Sequence, residues 1–165
     1  MNFITQSYRA KKTLLVICFL AFAFNESKAS LGETSKEIES RYGVPQSTAK
    51  GLSDRDYTAT YQTSDLKIAV TFIDGKSQKE IFGKTDAKTA LSKDEINALL
   101  KADAGDSQWD YYDGSSRYSH RIETPNNIVY RLINHAAWAE YSIVGGPHLS
   151  VWTDGYSSYR RALEK

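Results

Sequence analysis

The sequence predicts an α+β domain made of two helix-plus-antiparallel-meander units that share one sheet, with the helices packed on one face. Three observations carry this. Leu66, Ile68, Val70 and Phe72 alternate with Lys67, Ala69 and Thr71, the period of a half-buried strand. Asp74-Gly75 then supplies two residues that tolerate positive φ, so the strand can return as a hairpin. Finally, Thr34-x-x-Glu37 and Ser92-x-x-Glu95 each write a capping box ahead of strand-like sequence, where two side chains satisfy orphan N–H groups at a helix start.

The chain of 165 residues opens on a targeting signal rather than on this fold. Arg9, Lys11 and Lys12 precede an apolar run from Leu14 to Phe24, and Ser27-Lys28-Ala29 offers small residues at a cleavage site. Residues 1–29 are therefore expected to be a secretory signal peptide and residues 30–165 a single exported domain. The apolar run is shorter than the ~20 residues a spanning helix needs. Cys18 lies inside it, with bulky Ile17 where lipoprotein signals favour a small residue. Past the cleavage site there is no cysteine, hence neither disulfide nor thiol chemistry.

Cleavage also shifts the charge. Lysine plus arginine falls from 21 by four (Arg9, Lys11, Lys12 and Lys28) to 17, and acids fall from 20 by Glu26 to 19, leaving about −2. That balance gives no electrostatic case for nucleic acid or an anionic membrane as partner.

In the first unit, 31–84, Ile38 and Tyr42 mark the buried stripe of the opening helix; Gly43 and Pro45 end it. Gln46 to Asp56 reads as polar, turn-rich chain, and Tyr57–Tyr61 as a strand leading through Thr63-Ser64-Asp65 into the hairpin. The return strand is ambiguous. A two-residue loop sets Ile81 on the face of Ile68, whereas a three-residue loop with a bulge sets Phe82 there.

In the second unit, 90–156, Leu91 and Ile96 form a hydrophobic staple around the second helix start, Leu99 and Leu100 continue its apolar face, and Gly105 stops it. Strands are expected around Arg117–Ile122, Ile128–Leu132, Ala137–Tyr141 and Leu149–Trp152. The recurrence of [ST]-x-x-E-I and of strand order makes the two units read as a tandem repeat.

The run "LGETSKEIESRYGVP", the strand ending "VTFIDGK" and "LSKDEINALLKA…W" together resemble a set of small exported bacterial proteins of unknown function. The first helix and hairpin are also similar to the outer-membrane assembly lipoprotein family (SmpA/OmlA) and to tandem-repeat β-lactamase-inhibitor proteins. This chain lacks the lipidated cysteine of the former and the disulfides of the latter. The resemblance implies a helix-and-sheet layout and carries over no functional residue.

Few residues promise chemistry. His120, His135 and His148 have no metal-ligand spacing, and no metal or cofactor is expected. Asp103, Asp106, Asp110 and Asp113 lack the order of a calcium loop and read as a solvated helix end. No nucleophile elbow occurs. Glu140 with Glu123 or Asp113 would be the paired carboxylates of a small envelope hydrolase or glycan-acting enzyme, the alternative function. Aromatic residues are the stronger signal. If Ala139, Tyr141, Leu149 and Val151 face the core, then Trp138 and Trp152 project from the reverse face, beside Glu140 and Tyr156. The function expected is thus a non-enzymatic binding or inhibitor-type module, periplasmic or extracellular. Its partner would be an envelope or extracellular protein, or a glycan, met through Trp138, Trp152, Tyr156 and Glu140.

Overall fold

A computed structural model describes residues 31–104, 107–111, 127–132 and 136–165; the signal segment expected at 1–29 and the strand expected at 117–122 lie outside them. Among the described residues the order is α1 (Ser35–Tyr42), β1 (Ser47–Lys50), β2 (Asp56–Gln62), β3 (Leu66–Ile73), β4 (Lys76–Lys84), α2 (Lys93–Ala104), β5 (Trp109–Tyr111), β6 (Asn127–Leu132), β7 (Ala137–Ser142), β8 (His148–Thr153) and α3 (Asp154–Leu163). The strands form one antiparallel sheet in the order β1-β2-β3-β4-β8-β7-β6-β5. Among the described residues each half runs helix then four strands, and the halves meet where β4 pairs with β8.

Both expected capping boxes form. Thr34 Oγ1 accepts from the Glu37 N–H while the Glu37 carboxylate accepts from the Thr34 N–H, and Ser92 and Glu95 do the same. Gly43 ends α1 at φ 83°, where a side chain would be strained. Buried Ile38, Leu91, Ile96, Leu99 and Leu100 from the helical segments meet Ile68, Val70, Phe72, Phe82, Ala139, Leu149 and Val151 from the sheet. This is the single dry face that the period-2 pattern demanded.

The hairpin takes the loop length of one alternative and the facing of the other. Asp74 and Gly75 take φ 51° and 75°, so Ile73 pairs Lys76 across a two-residue turn. Gln78 is then bulged out: Phe72 pairs Ser77, but Thr71 pairs Lys79. From there Ile68 faces Phe82, and both are buried. Because Gln78 is bulged out and not paired, Glu80 and Phe82 face the core while Lys79 and Ile81 face away from it.

Two expectations need correction. The polar stretch after α1 contains a further strand, β1, invisible to a periodicity argument because all four of its residues are exposed. The helices also do not share one face. The C-terminal segment, expected to belong to the meander, is helix α3, and it lies on the reverse face of the sheet against Lys79 and Trp152. Its signals are local: Thr153 accepts from the Tyr156 N–H at 3.0 Å, Asp154 sits in the first turn, and Arg160 and Arg161 complement the dipole in the last.

Candidate functional site

Antiparallel pairing sets directly opposed side chains on the same face. Lys79 of β4 is opposite Trp152 of β8, which is opposite Trp138 of β7, which is opposite Arg131 of β6, which is opposite Asp110 of β5. A polar and aromatic row therefore crosses five strands on the reverse face. The next row carries Ile81, Ser150, Glu140 and Val129. Its two flanking positions in β7 and β8, Ala139 and Val151, are fully buried on the other side.

Helix α3 lies over part of these rows and is tied down at its start and at mid-length. Thr153 Oγ1 meets Gln78 Oε1 at 2.5 Å, so the bulged residue itself anchors the helix start. Tyr159 donates to Asp56 Oδ1 at 2.7 Å and lies 2.6 Å from Ser53 Oγ. Asp56 also accepts from the Leu52 and Ser53 N–H groups. Burial pushes the Asp56 carboxyl up, but the hydrogen bonds from Tyr159, Ser53 and the backbone prevail and hold it at about 2.

Between α3 and the sheet runs an open groove of about 510 Å³. Glu140, Trp152 and Tyr156, three of the four residues singled out in the sequence, line it together. Lys79, Arg160 and Arg161 contribute cations, and Glu164 a second acid. Trp138, the fourth residue, is committed elsewhere. Arg131 stacks on its ring at 4.6 Å, and its indole N–H donates to Asp154 Oδ1 at 2.7 Å. Tyr156 likewise carries the Lys79 ammonium over its ring at 5.4 Å. Trp152 differs. Its N–H donates to Ser157 Oγ at 3.0 Å, fixing the indole edge, and among the described residues no cation sits on its ring.

His148 lies at the mouth of β8 with Nδ1 2.7 Å from the Gly146 carbonyl, a hydrogen-bonded histidine rather than a free ligand. His120, His135, Asp106, Asp113 and Glu123 lie outside the described residues, so neither carboxylate pair suggested for Glu140 is represented. Among the described residues no group of three or more His, Cys, Asp or Glu is arranged to hold a metal ion.

A different set of acids converges on the core face. The segment before α1 bridges to β4, with the Glu33 N–H donating to Ser77 Oγ at 3.0 Å, which places the Glu33 carboxylate for ion pairing with Arg41. Around them lie Glu80, fully buried, and the carboxylate of Asp103 near the end of α2, whose oxygens are out of solvent. Neither Glu80 nor Asp103 has a hydrogen-bond partner for its carboxylate among the described residues. Burial pushes Glu80 up to about 7, against the pull of Arg41. Burial, reinforced by Glu80, raises Asp103 well above the carboxylate range. The same burial takes the nearby Tyr61 hydroxyl up to about 12. Asp103 is thus no solvated helix end; desolvation outweighs the single guanidinium and favours the protonated form of both acids relative to a free carboxyl. Sequence reasoning missed this cluster because it brings together Glu33, Arg41, Glu80 and Asp103 from four separate segments. Only the bulge turns Glu80 inward.

No protein-family model matches the chain, and no curated protein matches it. The fold bears a slight likeness to the crystal structure of a cysteine-rich secretory protein from Staphylococcus aureus, at 10% identity and a TM-score of 0.45. The likeness takes in 76% of this chain and 45% of that one, so this chain spans less than half its length. A match at that level carries neither fold nor function across.

Proposed function

We propose that this chain is an exported, non-enzymatic binding module whose contact site is the groove between β8 and α3. The observation that carries the reading is the convergence of Glu140, Trp152 and Tyr156, from two strands and a helix, on one concave surface of about 510 Å³. The groove is built on a rigid base. Two paired strands set its floor, and hydrogen bonds at Gln78 and Asp56 hold its wall. The carboxyls pushed above their ordinary range, Glu80 and Asp103, lie on the opposite face of the sheet, where they serve no chemistry in the groove. Among the described residues no helix is long and apolar enough to cross a membrane, which leaves the export signal at residues 1–29 as the support for location.

The test is retention of an envelope or extracellular partner on the immobilised protein, compared with a Trp152→Ala variant whose circular dichroism spectrum matches the parent. Loss of the partner in the variant supports the groove; equal retention removes it. Intact mass of the exported protein checks the signal, since a retained Met1–Ala29 sinks the export reading.

A further inference from the structure

Resting on the groove reading above, we infer that the ligand is a neutral oligosaccharide that stacks one sugar face on the Trp152 indole. Three features of the groove point there. No aliphatic side chain lines it; apart from Trp152 and Tyr156 its walls are charged residues, three serines and His148. Protein interfaces share its tryptophan, tyrosine and arginine, but their cores are depleted of lysine, glutamate and serine, which are six of the residues lining this groove. Sugar hydroxyls both donate and accept, and the groove carries donors (Lys79, Arg160, Arg161) and acceptors (Glu140, Glu164), with Arg160 and Glu164 held side by side as an ion pair at 3.7 Å.

The second feature is charge. Lys79, Arg160 and Arg161 are offset by Glu140 and Glu164, leaving one positive charge over the whole groove. Such a site exerts little net attraction on a polyanion, and a neutral ligand is not penalised.

The third feature selects the residue. An indole face is apolar and flat, and the C–H face of a pyranose is its complement in shape and polarity. Arg131 already covers a face of Trp138, and Lys79 covers Tyr156. Trp152 lines the groove with its edge fixed by Ser157 and, among the described residues, no cation on its ring. Stacking is therefore assigned to Trp152 and not to its cross-strand neighbour Trp138.

The experiment titrates the purified protein with tetrasaccharides of glucose, mannose, galactose and N-acetylglucosamine, following tryptophan emission and heat. At least one gives saturable binding. Trp152→Ala weakens it about tenfold or more, Trp152→Phe keeps most of it, and Trp138→Phe stays within about threefold of the parent. Binding indifferent to Trp152, or lost equally in Trp138→Phe, overturns the assignment. So does silence across the panel at millimolar concentration. Should the panel be silent while a protein partner is retained by the parent and lost in Trp152→Ala, the saccharide falls and the groove stands. If nothing of either class depends on Trp152, both fall.

Discussion

Lys79 and Glu80 are neighbours in one strand, and the sheet separates their fates. Lys79 faces the reverse side, where its ammonium lies over Tyr156 and every indole N–H has an acceptor. Glu80 faces the core, fully buried beside Arg41, Glu33 and Asp103, its oxygens without a hydrogen bond among the described residues. Arg131 Nε on the reverse face has no hydrogen-bond partner among the described residues, but the unpartnered carboxylates, Glu80 and Asp103, both belong to the dry side. Polar groups on a wet surface cost little to place, so their pairing there points to a surface shaped for contact. An unpaired acid in the core is tolerated only because it can keep its proton.

Four substitutions and one deletion test that contrast. The largest effect is expected at Phe82, which is fully buried in the main core cluster: Phe82→Ala should cost about 3–5 kcal/mol, whereas Lys79→Ala should cost under ~1 kcal/mol. Comparable urea midpoint shifts for the two would dissolve the distinction between faces.

Glu80 comes next. Its folded value of about 7 lies above the ordinary 4.5, so the folded state binds the proton more tightly than the unfolded chain does. Its stabilising contribution is fully present below pH 4.5 and is lost as pH rises through 7, by on the order of 3 kcal/mol. Glu80→Gln, which cannot ionise, should flatten this slope and leave the protein more stable than the parent at pH 8. Chemical denaturation at pH 5 and pH 8 decides it; an unchanged slope would mean that Glu80 does not carry the proton.

Tyr159→Phe should cost about 1 kcal/mol by removing the hydroxyl that anchors α3 to Asp56. Asp56 stabilises the fold above pH 3.8 and loses that contribution as pH falls through about 2. The variant should move its titration upward, visible by carboxyl NMR; a fixed titration would show that the backbone donors alone set it. The smallest effect is expected from deleting Gln78. Ser77 and Lys79 would then follow one another as regular partners of Phe72 and Thr71, and Glu80 and Phe82 would keep their face. Only the contact to Thr153 is lost, so a loss above ~2 kcal/mol would show that the bulge also sets the strand's twist.

Much of the fold was legible because its signals are local. The Thr34–Glu37 and Ser92–Glu95 boxes, the Asp74-Gly75 turn and the alternation from Leu66 to Phe72 each need only a few adjacent residues, and each formed. The facing of Trp138 and Trp152 followed from counting by two along strands with no interruption. Elsewhere the information was not local. β1 has no buried position to betray it and exists because β2 supplies a partner. The hairpin offered two loop lengths of similar local merit, and it combines the two-residue turn with a bulge at Gln78 further along the strand, which neither alternative held. Commitment of Trp138 depended on Arg131 from β6 and Asp154 from α3, which no spacing rule joins. The acid cluster was hidden for the same reason.

The seam between β4 and β8 also has a kinetic meaning. Other strand pairs within each half join chain neighbours, whereas Gln78 and Thr153 stand 75 residues apart when they meet. Closing so long a loop is entropically late, after each half has gained what its own hairpins offer. The sheet should therefore assemble as two sub-meanders that zip along one line, and open along it first. Leu149→Ala, on that line, should hasten unfolding while leaving the folding rate near the parent's. A slowed folding arm in stopped-flow would place the seam in the nucleus instead.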